Sequence, residues 1–294
     1  MTAAHGRLLL LALLLHGLWA PAVGAAGGLR VTWEPSHPRA GDVVLLRVQG
    51  APTAAILEVT VDGQPVSTFA TSDGHAAVIG IDMDAPAGPR RWRVTARGAN
   101  ASVAGEIPVV ARTYTVQHLT VAPSMVELDP ATERRAVEEG ERMRRIYRTI
   151  SGERLWRGRW LRPVGGDEPG TGFGARRVIN GQPRAPHSGI DFAAPVGAPV
   201  LAANRGRVAI VADFFFPGRL VILDHGLGLH TAYFHLDTIA VSEGQLVERG
   251  ETLGTVGMTG RVTGPHLHFG AQVGATRIDP AVLLGLAPPD ERRD

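Results

Sequence analysis

Cysteine is absent from the 294-residue chain, so no disulfide stabilises it and no N-terminal thiol can carry a lipid. Lysine is absent as well: all 30 basic residues are arginine. Arginine keeps its proton below about pH 12, so the charge curve stays nearly flat above neutrality. A sequence pI of 9.6 therefore coexists with a formal net charge of only +2 and gives no sign of nucleic-acid binding. Long apolar runs are missing too. A bilayer span takes roughly 20 such residues, whereas the run from Leu8 to Ala20 is interrupted by His16. With Arg7 before it and AVGAAGG after it, residues 1–25 read as a secretory signal peptide cut near Ala25.

What is present is mainly β pattern, in a chain long enough for one large domain or two modest ones. Residues 26–122 hold short runs that alternate apolar and polar, among them VVLLRVQG (43–50), AILEVTVDGQPV (55–66) and RWRVTARG (91–98). Asp62-Gly63 falls where a two-residue hairpin turn belongs, and APAGP (85–89) breaks the next pair. The pattern predicts an N-terminal immunoglobulin-like β-sandwich. Its His37, His75 and His118 are scattered and read as surface or hydrogen-bonded residues. Residues 123–160 form a linker. There Asp129 and Pro130 predict a helix start, and Met143, Ile146, Tyr147 and Ile150 recur at helical spacing, which gives a helix over 130–150 with one apolar face. Its arginines alternate with glutamates as on a solvated, ion-paired face.

A second β-rich unit is expected over 161–286, followed by a tail at 287–294, and here the histidines concentrate. PHSGIDFAAPVGAPV (186–200) sets His187 and Asp191 four apart among prolines and glycines that oppose a helix. In extended chain an even separation points both side chains to one face, and the same rule joins His266 to His268 in GPHLHFG (264–270). HTAYFHL (230–236) offers His230 and His235, with Tyr233 expected on the face of His235. Polar, same-face residues in strands that otherwise favour apolar ones point to a metal. A catalytic zinc takes three protein N or O ligands and keeps a fourth position open. Spacing alone leaves open which three residues would serve.

HSGID, YFHL and GPHLHFG, in that order, resemble the H-x-x-x-D, Y-x-H-L and H-L-H motifs of the lysostaphin-like zinc metallopeptidases, the LytM-domain peptidoglycan endopeptidases. FGARR (173–177), SEGQLVERGETLGTVGMTG (242–260) and RIDP (277–280) resemble that family's domain entry, glycine-punctuated hairpin and closing turn. The resemblance implies a C-terminal antiparallel β-sheet groove. It implies one Zn2+ per chain on His187, Asp191 and His268, with His235 and His266 as free catalytic imidazoles. His225 and His230 match no ligand position and read as structural. Gly270 stands where many relatives have Glu, which implies altered hydrogen bonding around a ligand.

The implied activity is zinc-dependent hydrolysis of peptide crosslinks in bacterial peptidoglycan. The first domain resembles the N-terminal extension of Gram-negative members, which implies export across the inner membrane, a periplasmic location and D-alanyl-diaminopimelate bonds. The expected partners are stem peptides and crosslinks, together with a regulatory protein. Nucleic acid and a stable membrane span after signal cleavage are not expected. The Arg-rich helix or the first domain is a candidate cover for the groove. Two other classes compete. The glycine-turned stretches also resemble biotinyl and lipoyl carrier domains, which need an acceptor lysine that this chain lacks. A catalytically silent LytM-type regulator of a cell-wall amidase is the stronger rival, yet such proteins lose ligands and here all five positions are filled.

Overall fold

The computed structural model describes residues 28–51, 55–98, 101–120 and 128–287. The leader read over 1–25 lies outside them, as do parts of the linker and tail.

Alternation in the first half becomes eight strands: β1 (Arg30–Glu34), β2 (Val43–Gln49), β3 (Leu57–Val61), β4 (Gln64–Val66), β5 (Thr68–Thr71), β6 (Gly74–Gly80), β7 (Gly88–Ala96) and β8 (Ala101–Val109). They form two antiparallel sheets, ordered β1-β2-β6-β5 and β4-β3-β7-β8. In β8 the buried residues are Ala101, Val103, Ile107 and Val109, and Ser102, Ala104 and Glu106 between them are exposed. The buried set meets Val44, Leu46 and Ile79 of the other sheet in one apolar core, so the two sheets form a sandwich. Asp62 and Gly63 turn β3 into β4 with φ of 49° and 77°, the paired positive values of a type I′ hairpin. His75, read as a surface or hydrogen-bonded residue, is buried, and its Nδ1 has no partner among the described residues.

The β1-β2-β6-β5 sheet is buried on both faces. Val44, Leu46 and Val48 point into the sandwich, while Val43, Leu45, Ala76 and Val78 join the core of the second half beside Trp156, Leu267 and Phe269. A polar seam borders this contact. Arg277 Nη2 donates to Asp82 Oδ1 and Asp84 Oδ2, each at 2.8 Å, and Arg112 Nη2 donates to Asp279 Oδ2 at 2.7 Å.

Between the halves, β9 (Val116–Leu119) is followed by α1 (Pro130–Tyr147). Asp129 Oδ1 accepts from the backbone N of Ala131 at 2.9 Å and of Thr132 at 3.1 Å, satisfying donors that a helix start leaves open. The helix stops at Tyr147, so Ile150 lies beyond it and is exposed; the apolar recurrence outruns the helix by one residue of its pattern. Arg135 pairs with Glu139 at 2.6 Å, and Arg142 reaches Glu243 at 3.1 Å.

Strand β9 runs parallel to β10 (Arg176–Ile179), which forms a hairpin with β11 (Gln182–Arg184). Then come β12 (Gly189–Ala193), β13 (Pro199–Leu201), β14 (Gly206–Phe214), β15 (Gly218–Asp224), β16 (Leu229–Ile239), β17 (Leu246–Val247), β18 (Thr252–Val256), β19 (His266–Val273), β20 (Thr276–Ile278) and the short α2 (Pro280–Leu284). Strands β12 to β20 make one antiparallel sheet with the path β12-β19-β16-β15-β14-β17. The architecture is thus mainly β, as expected.

The two faces of this sheet have different duties. Leu267, Phe269 and Tyr233 face the core that the first domain shares. On the other face, Met143, Ile146 and Tyr147 of α1 pack with Ile210, Phe214, Ile222, Ala232 and Phe234. Among the described residues no helix is long and apolar enough to cross a membrane.

Candidate active site

Strand register assembles the site. In β12 and β19, Asp191 lies directly opposite His268 and Ala193 opposite His266; in β16 and β19, Phe234 lies opposite His268. Cross-strand partners share a face, so Asp191, His266, His268 and Phe234 all lie on the face turned away from Phe269. The His268 ring stacks on that of Phe234, with centroids 5.2 Å apart and planes 10° apart.

His187 arrives by another route. Alternation along an extended segment would join it to Asp191, but β12 begins only at Gly189, and His187 belongs to the loop before it. Backbone bonds fix that loop: His187 N donates to Ala175 O at 3.0 Å, and Gly174 N donates to His187 O at 2.8 Å. The imidazole then fits against Gly172, where a Cβ would stand 2.7 Å from His187 Nδ1. Gly189 gives the same room to His268, because a Cβ there would come within 2.6 Å of its Nε2.

Three donor atoms converge. His187 Nε2 lies 2.9 Å from His268 Nδ1 and 3.0 Å from Asp191 Oδ1, and His268 Nδ1 lies 2.9 Å from Asp191 Oδ1. His187 and His268 are buried and Asp191 is half-buried. Burial acts to raise the Asp191 pKa, but hydrogen bonding to both imidazoles and their charge outweigh it and hold the carboxyl well below the usual range. Burial lowers the pKa of His268 and favours the neutral, coordinating form. Two imidazole nitrogens and one carboxylate oxygen, turned toward one another, suit a divalent cation such as zinc.

His235 and His266 stand beside this cluster, His235 with its ring centroid 4.9 Å from that of His266 and 6.1 Å from that of His268. Strict alternation would put His235 on the face of Tyr233. The structure separates them. Tyr233 is fully buried in the core, where its hydroxyl accepts from Ala203 N at 2.9 Å. Between Tyr233 and Leu236 the register against β15 slips by one residue, and His235 has a φ of 64°. This bulge turns the His235 side chain out of the core. Both free imidazoles are oriented by main chain: His235 Nδ1 donates to Thr259 O at 2.9 Å, and His266 Nδ1 donates to Gly264 O at 2.8 Å. A carbonyl can only accept, so each Nδ1 carries the proton and each Nε2 has a lone pair. Burial brings the pKa of His235 down to about 4, and its bond to Thr259 only partly counters this.

His225 and His230 lie away from the cluster. His225 is fully buried, with Nδ1 donating to Arg205 O at 2.8 Å and Nε2 against Thr231 Oγ1 at 2.7 Å. His230 donates from Nδ1 to Gly228 O at 3.1 Å and packs on Tyr147 of α1. Gly270 faces Gly189 across the strands; a Cβ there would meet only the Ala232 methyl at 3.5 Å, and as glycine the position supplies no side-chain hydrogen bond.

Three arginines near one another flank, in sequence, the segments that carry His187 and Thr259. Arg177 and Arg184 are cross-strand partners in the hairpin that leads to His187. Arg261, two residues after Thr259, lies over the Phe216 ring at 4.3 Å. Burial first, then the charges of Arg177 and Arg184, lower the Arg261 pKa. The sequence reading did not single out these arginines, the two orienting carbonyls, or Gly172 and Gly189. A carbonyl leaves no mark in residue type, and a glycine's reason for being small appears only once its neighbour is placed.

Residues 185–280 match the model of Peptidase family M23. Over 84 residues the chain is 48% identical to the peptidoglycan DD-endopeptidase ShyB of Vibrio cholerae, covering 29% of this chain and 20% of that protein. Over 104 residues it is 40% identical to the DD-carboxypeptidase/endopeptidase Mpg of Neisseria meningitidis, covering 35% and 24%. The chain thus spans about a fifth to a quarter of the length of these curated relatives. A crystal structure of an M23 peptidase from Pseudomonas aeruginosa aligns with a TM-score of 0.61 and 29% identity over 84% of this chain and 95% of that one. The site strands, the His187 loop and the matched segment coincide: residues 185–280 of this chain are a Peptidase family M23 domain, of the LytM type that the motifs resemble.

Proposed function

We propose that the protein is a zinc-dependent endopeptidase of bacterial peptidoglycan, with His187, Asp191 and His268 holding one zinc ion and His235 and His266 handling protons. The carrying observation is the triangle of donor atoms 2.9 to 3.0 Å apart beside two imidazoles of fixed tautomer. A zinc ion held there supplies a Lewis acid for the scissile carbonyl and lets water act as a nucleophile near neutral pH. The chain's own residues do the rest. His235, kept neutral by burial, presents Nε2 as proton acceptor. His266, more exposed and with Nε2 3.8 Å from Asp191 Oδ1, is placed to receive that proton on Nε2 and hand it on to the leaving amine, so the proton taken from water ends on the product.

The names of the Vibrio and Neisseria relatives support the substrate class. The three arginines support it further, since stem peptides carry free carboxylates that guanidinium groups bind well. We take the D-alanyl-diaminopimelate crosslink as the bond and the periplasm as the compartment, reached through the leader read in residues 1–25. Incubating purified sacculi with the wild-type protein and with His266→Ala, followed by mass analysis of released fragments, tests this reading. Crosslinked dimers converted to monomers by the wild type alone support it. No conversion by a zinc-loaded wild type overturns it.

A further inference from the structure

His187 differs from His235 and His266 in how its ring is held. Its Nε2 faces Asp191 and His268, while its Nδ1 is buried and has no hydrogen-bond partner among the described residues. A histidine that holds a metal ordinarily donates its second ring N–H to an acceptor, which fixes the ring. Packing has that task here, so the ring stands where its loop stands.

Residues 171–175 set the loop. Gly174 and Ala175 bond to the main chain of His187, and Thr171 exchanges two backbone bonds with Asp191, Thr171 N to Asp191 O at 3.1 Å and Asp191 N to Thr171 O at 2.8 Å. One short segment therefore holds the main chain of two of the three candidate ligands.

That segment is seated in turn on the connection between β8 and β9. The Tyr114 ring lies edge-to-face with Phe173, centroids 6.0 Å apart, and so close to Gly174 that a Cβ there would stand 2.0 Å from Tyr114 Cδ1. Arg176 N donates to Thr115 O at 2.8 Å beside it. The other end of Tyr114 touches the β-sandwich: its hydroxyl donates to Ala40 O at 2.9 Å, and a Cβ on Gly41 would come within 2.9 Å of the hydroxyl oxygen. Arg112 fastens the same corner, with Cζ 5.3 Å from the Tyr114 ring centroid and Nη2 donating to Asp279.

We propose that Tyr114 is a positioning residue for the metal site: its ring keeps residues 171–175, and through them His187 and Asp191, in place against His268. The β-sandwich thereby takes part in setting metal affinity. This inference rests on the zinc site proposed above.

Competitive zinc titration of the full chain tests it, together with the visible absorption of the cobalt-loaded protein, which reports metal geometry. Tyr114→Ala should weaken zinc roughly 10- to 100-fold and shift the cobalt bands, with Tyr114→Leu intermediate. Tyr114→Phe keeps the ring, loses only the bond to Ala40, and should keep the wild-type affinity. Val103→Ala, confined to the sandwich core, should lower the melting temperature without altering zinc affinity or the cobalt bands, which separates positioning from general loss of stability. Melting profiles confirm that each variant is folded, and Tyr114→Leu carries the test if Tyr114→Ala is not. A wild type that takes up no zinc, or His187→Ala binding zinc as tightly as the wild type, would overturn the zinc site and this inference with it. Zinc bound through His187 but with affinity and cobalt bands unchanged in the Ala and Leu variants, weakened equally in Val103→Ala, or weakened as much in Tyr114→Phe as in Tyr114→Ala, would overturn the role of Tyr114 alone.

Discussion

His235 and His266 come from different strands and meet with ring centroids 4.9 Å apart, each tied through Nδ1 to a main-chain carbonyl and each presenting Nε2. The pair is thereby set in tautomer and direction before any substrate arrives.

Removing either imidazole should therefore cost turnover and spare metal binding. His266→Ala and His235→Asn are expected to lower kcat by about 10²- to 10⁴-fold. Asn suits position 235 because it tolerates the positive φ there. Zinc analysis of the purified variants checks the second half: a stoichiometry that falls along with activity would mean these residues help hold the ion.

The cluster of His187, Asp191 and His268 is assembled only in the folded chain, so a zinc ion bound there should stabilise the fold. Chelation is expected to lower the melting temperature. Zinc restored to about a thousand times its Kd should return roughly 4 kcal/mol. Differential scanning calorimetry with and without chelator measures this, and His187→Ala should show almost none of the difference.

Gly189 should tolerate no side chain. A Cβ would meet Phe269 O at 2.5 Å and His268 Nε2 at 2.6 Å, and one of these is rigid backbone. Gly189→Ala is expected to cost about 1–3 kcal/mol by overpacking and to weaken zinc roughly 10- to 100-fold by displacing His268. Urea unfolding and competitive zinc titration read the two effects separately.

Acid should weaken the protein through His225, far from the metal. Burial, the largest influence, takes its pKa to about 4 from an ordinary 6.5, against the contrary effect of its bond to Arg205. As pH falls, the unfolded chain takes up this proton first. The stability contributed is complete above pH 6.5 and is lost as pH drops through 4, amounting to roughly 3 kcal/mol. Urea midpoints at pH 7.5 and 4.5 should differ less in His225→Asn than in the wild type, and an equal drop in both would show that other groups carry the effect.

Local chemistry was legible in the sequence and register was not. Asp62-Gly63 declares its hairpin because only a few residue types accept two positive φ values, and β8 declares its buried face through strict alternation. The same alternation misplaces His235, since a one-residue bulge has no signature in the letters YFHL and yet moves the side chain to the other face. His187 reaches Asp191 and His268 through a loop closed on Ala175, a contact that no period along the chain encodes. The motifs drew attention to these residues; the fold decides which of their atoms meet.

The sheet of β1, β2, β6 and β5 gives both faces to apolar cores, so it has no side to offer water. Removing the first domain would strip Trp156 and its neighbours of Val43, Leu45, Ala76 and Val78 and uncover the foundation beneath the strands that carry the site. Heating should therefore give a single calorimetric transition for both halves, and a truncated peptidase half should aggregate rather than survive as a smaller enzyme.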